Sequence, residues 1–275
     1  MANATNTLIS IVIPVKNEEQ NILPLYQALE NLRTDLAMVD LEYVFVDDGS
    51  VDGSYELLES LQQKNDAITL IRLSRSYGFQ QALFVGYANA QGDAAVELDC
   101  DLQDPPSLIP QFIEYWQQGY KIVYGIRRRR SENPCLTFAR KCFYRLIHKI
   151  SDSDLPKDAG DFMLIDRKVM DLLKRSSRTK IYIRGLVFSF GFDRMGVEYD
   201  RNARHLGKSK FNVFSLMDLA IDGIVSQSIV PIRMASVFGF VVTMFSVVLG
   251  LVYLFQKIFS RNQRLRDGPL LQFWC

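Results

Sequence analysis

An alternation of strand-like and helix-like segments across residues 8–125 narrows the choice of fold most. A short apolar run at residues 8–13 precedes residues 18–33, where apolar side chains recur at helical spacing. Strands that alternate with helices form crossover units, so the sequence predicts an α/β fold with a doubly wound, mainly parallel, Rossmann-like sheet. The further predicted strands are residues 41–46, 67–73, 94–98 and 121–124, and the further predicted helices are residues 54–63, 80–90 and 106–117.

The segment between residues 131 and 198 has a weaker pattern. Its spacing predicts an amphipathic helix over residues 136–150, a short strand at residues 162–165 and a short helix at residues 169–173. No internal repeat or low-complexity tract interrupts the chain, so a repeat architecture is not indicated.

A long apolar segment lies near the C-terminal end of the chain. Residues 234–255 contain no charged side chain, and as a helix they would be roughly 33 Å long, enough to cross the hydrocarbon of a bilayer. A core helix of a soluble protein normally keeps a polar stripe, and Thr243 and Ser246 are too few to form one. The sequence therefore predicts a membrane helix, preceded by an interfacial helix in residues 214–230.

Two carboxylates one residue apart, Asp99 and Asp101, follow the predicted strand at residues 94–98. On an extended chain they would share one face, and Pro105 soon ends any central strand. Ligands of α/β proteins bind at the carboxyl ends of the strands, where two carboxylates suit a hard cation such as Mg²⁺ or Mn²⁺. The alternative is a turn in which these aspartates only hydrogen-bond backbone groups.

Polar loops also follow the first two predicted strands, with the sequences IPVKNEE at residues 13–19 and VDDGSVDG at residues 46–53. A carboxylate at Asp47 or Asp48 could accept hydrogen bonds from a base or a ribose hydroxyl. The alternative for the second loop is an ordinary turn and helix cap. Neither GxGxxG nor a Walker loop is present, which disfavours a dinucleotide-dependent enzyme and an ATP hydrolase.

Charge and cysteine usage exclude several other classes. The formal net charge of +1 argues against a dedicated nucleic-acid-binding protein. The four cysteines form no CxxC pair and only two histidines are present, so zinc spacing is absent and a reducing, cytosolic environment is favoured. The residues before the first strand do not have the pattern of a signal peptide.

Taken in order, the motifs resemble those of inverting family 2 glycosyltransferases of the GT-A fold. Within that family the chain is similar to the polyprenyl-phosphate branch, the dolichol-phosphate mannose synthases and bactoprenol glucosyltransferases, from about residue 8 to residue 255. The motifs that carry the resemblance are IPVKNEE at 13–19, VDDGS at 46–50, LSRSYG at 73–78, DCDLQDPP at 99–106, GIR at 125–127, DAGDF at 158–162, RNAR at 201–204 and GKSKF at 207–211.

This resemblance implies a nucleotide-sugar donor and a divalent metal, Mg²⁺ or Mn²⁺. It implies that Asp99 and Asp101 hold the metal and that Asp158 joins them as a catalytic residue, orienting the acceptor or the donor sugar. A strong base is not required, because a phosphate monoester with a second pKa near ~6 is already anionic at pH 7. The residues implied for the nucleotide sugar are Pro14, Val15, Asn17, Glu18, Asp47, Asp48, Asp99, Gln103 and Asp104.

A basic stretch at residues 200–210 precedes the predicted interfacial helix. It would suit a lipid phosphate, because the arginine side chain can donate two parallel hydrogen bonds to phosphate oxygens. The alternative is a solvated loop attracted to anionic lipid heads in general. The resemblance adds the arginine of the GIR motif. The residues predicted for the acceptor phosphate are Arg127, Arg201, Arg204, Lys208 and Lys210.

The predicted organisation departs from the family at its C-terminal end. The predicted segments are a catalytic domain at residues 1–212, an interfacial amphipathic helix at 213–232, a membrane helix at 233–257 and a short basic tail at 258–275. Glucosyltransferase-like members of the family have a second membrane helix, and this one is missing from the pattern here. A single crossing from the cytosol would also place the basic tail outside, against the positive-inside tendency.

The sequence thus predicts an enzyme of the bacterial inner (cytoplasmic) membrane, with its catalytic domain facing the cytosol. It would transfer a hexose, glucose from UDP-glucose being favoured, to undecaprenyl phosphate. The alternatives are transfer of mannose from GDP-mannose to a dolichol-type lipid, and an inactive remnant that binds nucleotide and membrane. A processive polysaccharide synthase would need a QxxRW-like segment and several spans, which the sequence lacks. The sequence leaves open whether the protein forms a homo-oligomer or binds a flippase, and no nucleic-acid partner is expected.

Overall fold

The computed structural model describes residues 7–36, 39–128, 159–176, 182–201 and 230–266. These residues fall into two compact units, Met1–Gln227 and Ser228–Cys275. Several predictions lie outside the described residues: the helix at 136–150, most of the interfacial helix at 213–232, and the site residues Asp158, Arg204, Lys208 and Lys210.

The first unit alternates strands and helices as the apolar periodicity predicted. The strands are β1 (Thr7–Val15), β2 (Val39–Asp47), β3 (Ile68–Arg72), β4 (Ala94–Glu97), β5 (Ile122–Arg127), β6 (Ala159–Asp166) and β7 (Arg194–Tyr199). The helices are α1 (Glu19–Asp35), α2 (Ser54–Gln62), α3 (Phe79–Asn89), α4 (Ile109–Gln117), α5 (Arg167–Arg175) and α6 (Ile183–Ser189). A short 3₁₀ turn, Pro106–Leu108, precedes α4, and the fixed φ of Pro106 suits the first position of such a turn.

The strands form one seven-stranded sheet in the order β3-β2-β1-β4-β6-β5-β7. Strand β6 is antiparallel to β4 and β5, whereas the other neighbouring strands pair in parallel. The predicted α/β fold with a mainly parallel sheet is confirmed. Strand β7 and helix α6 were not predicted. Strand β7 is the last strand in the sheet order, and it carries charged and glycine residues instead of a continuous apolar run.

Helices cover both faces of the sheet and each face has its own apolar core. On one face α1, α2 and α4 pack side chains such as Leu25, Leu58 and Phe112 against the strands. On the other face α3, α5 and α6 contribute residues such as Leu83 and Met170. Burial on both faces explains why the strands are continuous apolar runs, as in other doubly wound sheets.

The carboxyl ends of all the parallel strands lie along one edge of the sheet. The loops that follow β1, β2, β3, β4, β5 and β7 leave the sheet there, and antiparallel β6 begins there. Residues far apart in the sequence are therefore brought together at this edge, which we call the carboxyl edge.

The second unit contains one long helix, α7 (Val230–Arg266). Its residues Ala235–Phe259 have a mean hydropathy of 2.4 and none of their side chains is buried, so within the described part of the chain this helix is long and apolar enough to cross a membrane. Thr243 satisfies its hydroxyl internally by donating to the Gly239 carbonyl at 2.8 Å. The helix continues through the first part of the predicted basic tail, where the sequence has no proline or glycine before Gly268.

Candidate functional site

The two carboxylates singled out from the sequence lie at the carboxyl edge, just beyond strand β4. The strand ends at Glu97 and the chain turns at Asp101, with Leu102 in the left-handed region (φ 58°). Asp101 is buried and its Oδ1 accepts a hydrogen bond from the Gln103 amide at 3.1 Å. A turn, and not the alternation of an extended strand, therefore brings Asp99 and Asp101 near each other.

Asp99 lies in a strongly negative environment. Burial, together with the negative charges of Asp104, Asp101 and Asp161, raises the pKa of its carboxyl to about 7, while the positive charge of Arg201 opposes this shift. The guanidinium of Arg201 donates from Nη2 to Asp99 Oδ2 at 3.4 Å. Such crowding of carboxylates disfavours their charged form and would be relieved by a cation.

The donor set fits a hard divalent ion that also binds a phosphate ligand. Among the described residues, Asp99 and Asp101 offer carboxylate oxygens at this turn, and such ligands suit Mg²⁺ or Mn²⁺ better than a soft metal. Among the residues that the structure describes, no group of three His, Cys, Asp or Glu side chains could hold a metal by itself. Mg²⁺ in substrate complexes takes one or two protein carboxylates and completes its shell with phosphate oxygens and water, so Asp99 and Asp101 suffice for that mode.

A second cluster surrounds Asp104, which is almost completely buried. Arg127 donates from Nη2 to Asp104 Oδ2 at 3.3 Å, and the Tyr199 hydroxyl donates to Asp104 Oδ1. Arg201 places its Nε 3.3 Å from the same Oδ1. One carboxylate thus gathers two guanidinium groups from the ends of β5 and β7.

The loop after β1 is held by hydrogen bonds to the loop after β2. Asn17, in the left-handed region (φ 53°), accepts from the Val51 amide at 2.8 Å, and its own amide donates to Ser50 Oγ at 2.9 Å. Glu18 is the N-cap residue that precedes helix α1, and its carboxylate accepts from Asn21 Nδ2 at 2.6 Å. The other predicted residues of this loop, Pro14 and Val15, are buried strand residues.

The predicted nucleotide ligands Asp47 and Asp48 are both buried and hold loops in place. Asp48 accepts from the Tyr77 amide at 2.6 Å and from the Ser76 hydroxyl at 2.7 Å. Asp47 accepts from the Ser50 amide at 3.1 Å and lies 3.5 Å from Arg72 Nε. The turn-forming alternative is therefore observed for both residues, and their role in nucleotide binding stays a prediction.

Gly49 is where the loops after β2 and β3 approach most closely. Its φ is +66°, and an added Cβ would lie 2.9 Å from the backbone of Arg75. Gly49→Ala should lower stability by about 1–3 kcal/mol and raise the KM for the nucleotide sugar, because the Arg75 loop must move. Thermal unfolding and donor kinetics check this.

Gly119→Ala is the matched control for Gly49→Ala. Gly119 also has a positive φ (+111°), but nothing lies within 4 Å of an added Cβ. The Gly119→Ala variant should be less stable than the wild type, without a change in the KM for the donor. An equal change of this KM in both variants would contradict a specific effect of the Gly49 loop.

Three residues of this edge were not predicted from the sequence: Glu97, Tyr199 and Arg184. Glu97 is fully buried, and neither of its carboxylate oxygens has a hydrogen-bond partner among the residues described. Burial, with the negative charge of Asp99 next, raises the pKa of Glu97 well above its ordinary value. Arg184 lies 3.9 Å from Asp161, at the start of β6. An acidic residue inside an apolar strand was the signal available for Glu97, whereas Tyr199 and Arg184 lie in segments with no motif.

The structure brings five of the predicted site residues together. They come from the loop after β4, the end of β5 and the segment after β7, and they are Asp99, Asp101, Asp104, Arg127 and Arg201. The prediction for Asp158, Arg204, Lys208 and Lys210 stays a prediction.

Comparison with known proteins identifies relatives of the whole chain. The family model described as Glycosyl transferase family 2 matches residues 10–173. An uncharacterized glycosyltransferase, YkcC of Bacillus subtilis (strain 168), is 39% identical over 255 residues, covering 91% of this chain and 78% of the relative. A bactoprenol glucosyl transferase of Shigella phage SfV is 35% identical over 243 residues, covering 88% of this chain and 79% of the relative.

Solved structures with a similar fold are more distant in sequence. The glucosyl-3-phosphoglycerate synthase from Mycobacterium tuberculosis, crystallised with Mn²⁺, UDP and phosphoglyceric acid, has a TM-score of 0.53 and 18% identity. The match covers 78% of this chain and 75% of that one. At this identity the likeness concerns the fold, and it confirms the predicted GT-A architecture of the first unit.

Proposed function

Because the chain belongs to glycosyl transferase family 2, we propose that it transfers a hexose from a nucleotide sugar to undecaprenyl phosphate, with inversion at the anomeric carbon. UDP-glucose is the proposed donor. The support for this lipid and this sugar is the name of the phage relative, a bactoprenol glucosyl transferase. Mannose transfer from GDP-mannose to a dolichol-type lipid is the alternative within the family.

One observation carries the proposal: carboxylates and guanidinium groups alternate at a single sheet edge. Asp99 contacts Arg201, Arg201 contacts Asp104, and Asp104 contacts Arg127. A transfer between two phosphate-bearing substrates needs both charges close together, since a cation must meet the leaving diphosphate and arginines must meet the acceptor phosphate.

The proposed roles follow from these contacts. Asp99 and Asp101 would hold Mg²⁺ or Mn²⁺, which when bound neutralises charge on the departing nucleoside diphosphate. Arg127 and Arg201 would bind and orient the lipid phosphate, whose oxygen attacks the anomeric carbon opposite the leaving group. The acceptor needs no strong base because its second pKa, near ~6, leaves it anionic at pH 7.

We place the enzyme at the bacterial cytoplasmic membrane, with the catalytic unit on the cytosolic side. The exposed apolar helix Ala235–Phe259 supports membrane attachment, and a polyprenyl acceptor would be found in the same bilayer. An oligomer and a flippase partner are compatible with this location, and no contact among the described residues argues for either.

Sugar transfer by the purified full chain tests the function. In detergent or vesicles that contain undecaprenyl phosphate and Mg²⁺ or Mn²⁺, we expect radiolabelled glucose from UDP-glucose to enter the lipid fraction. GDP-mannose and UDP-4-amino-arabinose derivatives should be at least about tenfold poorer donors. EDTA should abolish the reaction. Failure to glycosylate the lipid from any donor would overturn the proposal, and preference for GDP-mannose would select the alternative.

A further inference from the structure

Both carboxylate oxygens of Asp104 are engaged by other side chains of the described structure. Its side chain is 1% exposed, Oδ2 accepts from Arg127, and Oδ1 accepts from Tyr199 and faces Arg201. A buried carboxylate is stable only when it is paired. Hydrogen bonds from Arg127 and Tyr199 and the ion pair with Arg201 supply that pairing. The resemblance to the family implied a place for Asp104 in the sugar pocket, whereas these contacts direct it toward the arginines.

Tyr199 is held rigidly beside Asp104. The parallel pairing of β5 and β7 sets Tyr199 opposite Arg127. Its ring packs edge-on against Phe162 with centroids 5.8 Å apart, and it occupies the space beside Gly125, where an added Cβ would lie 2.6 Å from the ring. The position of the hydroxyl is therefore determined by the sheet.

The Tyr199 hydroxyl closes a ring of hydrogen bonds. It accepts from Arg127 Nε at 3.2 Å and donates to Asp104, which in turn accepts from Arg127 Nη2 at 3.3 Å. Burial raises the pKa of Tyr199, so the hydroxyl keeps its proton and can donate. The Nε and Nη2 donors of Arg127 are thus both held, and the orientation of its guanidinium at the carboxyl edge is set.

Arg201 is the second guanidinium on the same carboxylate. It extends from Asp104, at 3.3 Å, to Asp99, at 3.4 Å, and so links this ring to the proposed metal ligands. Two guanidinium groups around one site repel each other, and the attraction of each to a carboxylate between them offsets this repulsion.

We propose that Asp104 and Tyr199 are positioning residues that hold Arg127 and Arg201 in place for the acceptor phosphate. This inference rests on the proposed function, because it assigns these two residues to the acceptor side of that reaction. Neither residue needs to touch a substrate; each acts through the arginines.

Tyr199→Phe tests the proposal, because it keeps the ring packed between Gly125 and Phe162 and removes only the hydroxyl. We expect the KM for undecaprenyl phosphate to rise about five- to tenfold, with kcat/KM for the lipid falling about tenfold or more. The KM for the nucleotide sugar and the affinity for UDP with Mn²⁺, measured by calorimetry, should change less than about twofold. A loss shared equally by donor and acceptor would indicate a structural role and overturn the proposal.

Tyr43→Phe is the matched control. Tyr43 is also a fully buried tyrosine, and its hydroxyl donates to the Leu29 carbonyl at 3.4 Å within the core beneath α1. Its loss should leave both KM values unchanged. Wild-type kinetics in Tyr199→Phe would refute the positioning role, whereas an inactive wild type would refute the proposed function itself.

A measurement on the wild-type protein covers the case in which Tyr199→Phe does not fold. The Arg127 Nε proton, which donates to Tyr199, should exchange slowly in nitrogen-15 NMR spectra of the full chain in detergent. A rapidly exchanging Arg127 Nε proton would contradict the hydrogen-bonded ring.

Discussion

Replacing Asp101 with asparagine is expected to lower metal-dependent sugar transfer by about 10²–10³-fold. Asparagine keeps the size of the side chain, and its carbonyl oxygen can still accept the bond from the Gln103 amide at 3.1 Å. The loss should therefore come from the missing negative charge and not from a disturbed turn. Transfer should respond weakly to added Mg²⁺ or Mn²⁺ at concentrations that saturate the wild type.

Steady-state kinetics over a metal titration measures this effect, and Asp40→Asn is the control. Asp40 is an exposed aspartate near the start of β2, at the opposite edge of the sheet, so the same chemical change there should leave transfer intact. Asp101→Asn with more than a third of wild-type activity would contradict the assignment of Asp101 to the metal. A wild type that turns over also removes the alternative of an inactive remnant.

Glu97→Gln is expected to stabilise the protein at alkaline pH. Glu97 is fully buried without a hydrogen-bond partner among the described residues, and burial holds its pKa well above the ordinary value. The folded protein therefore keeps a proton on Glu97 that the unfolded chain releases above about pH 4.3. The stability contributed by Glu97 is complete below that pH and falls as pH rises toward the folded-state pKa, by up to about 1.4 kcal/mol per pH unit.

Glutamine has the shape of a protonated glutamate and does not titrate, so the stability of the variant should not fall with rising pH for this reason. Its Tm should exceed that of the wild type at pH 8, by roughly 2–4 °C for each kcal/mol, and the difference should narrow toward pH 5. The measurement is thermal unfolding of the metal-free protein in EDTA, because a bound cation would alter the charge around Asp99.

Glu42→Gln provides the contrast for the Glu97 variant. Glu42 is also buried, but it accepts hydrogen bonds from the Ser10 hydroxyl at 2.6 Å and from the Gln91 amide at 2.9 Å. Weakening these bonds should lower the Tm. If Glu97→Gln lowered the Tm at every pH, an unseen partner of Glu97 would have to exist and the prediction would be wrong.

Much of the fold could be predicted because it depends on local periodicity. The apolar runs that became β1 and β2 and the helical spacing of α1 are each encoded within a few turns of the chain. Helical crossovers between the strands then imply that β1 to β5 run in the same direction. The insertion of β6 between β4 and β5 could not be predicted, because the partner and direction of a short strand depend on contacts distant in sequence.

The residues of the candidate site were likewise predictable only in part. Asp99 and Asp101 were proposed from residue type and spacing, whereas Arg127 was implied by the resemblance of its GIR motif to the family. The alternative roles of Asp48 and Asp104 could not be separated from the sequence, since a carboxylate that binds a ligand and one that holds a loop have the same composition. Only the distances to Tyr77, Arg127 and Tyr199 distinguish them.

The amino-acid order alone was sufficient for the layered α/β architecture, the apolar C-terminal helix and the family, since these depend on periodicity, length and motif order. Folding in three dimensions determined which charges meet. The ring of Arg127, Tyr199 and Asp104 joins residues from β4's loop, β5 and β7, and the isolation of Glu97 arises from packing on both faces of the sheet. Electrostatic energies depend on separations of a few ångströms and on burial, and neither is encoded in any local stretch of the chain.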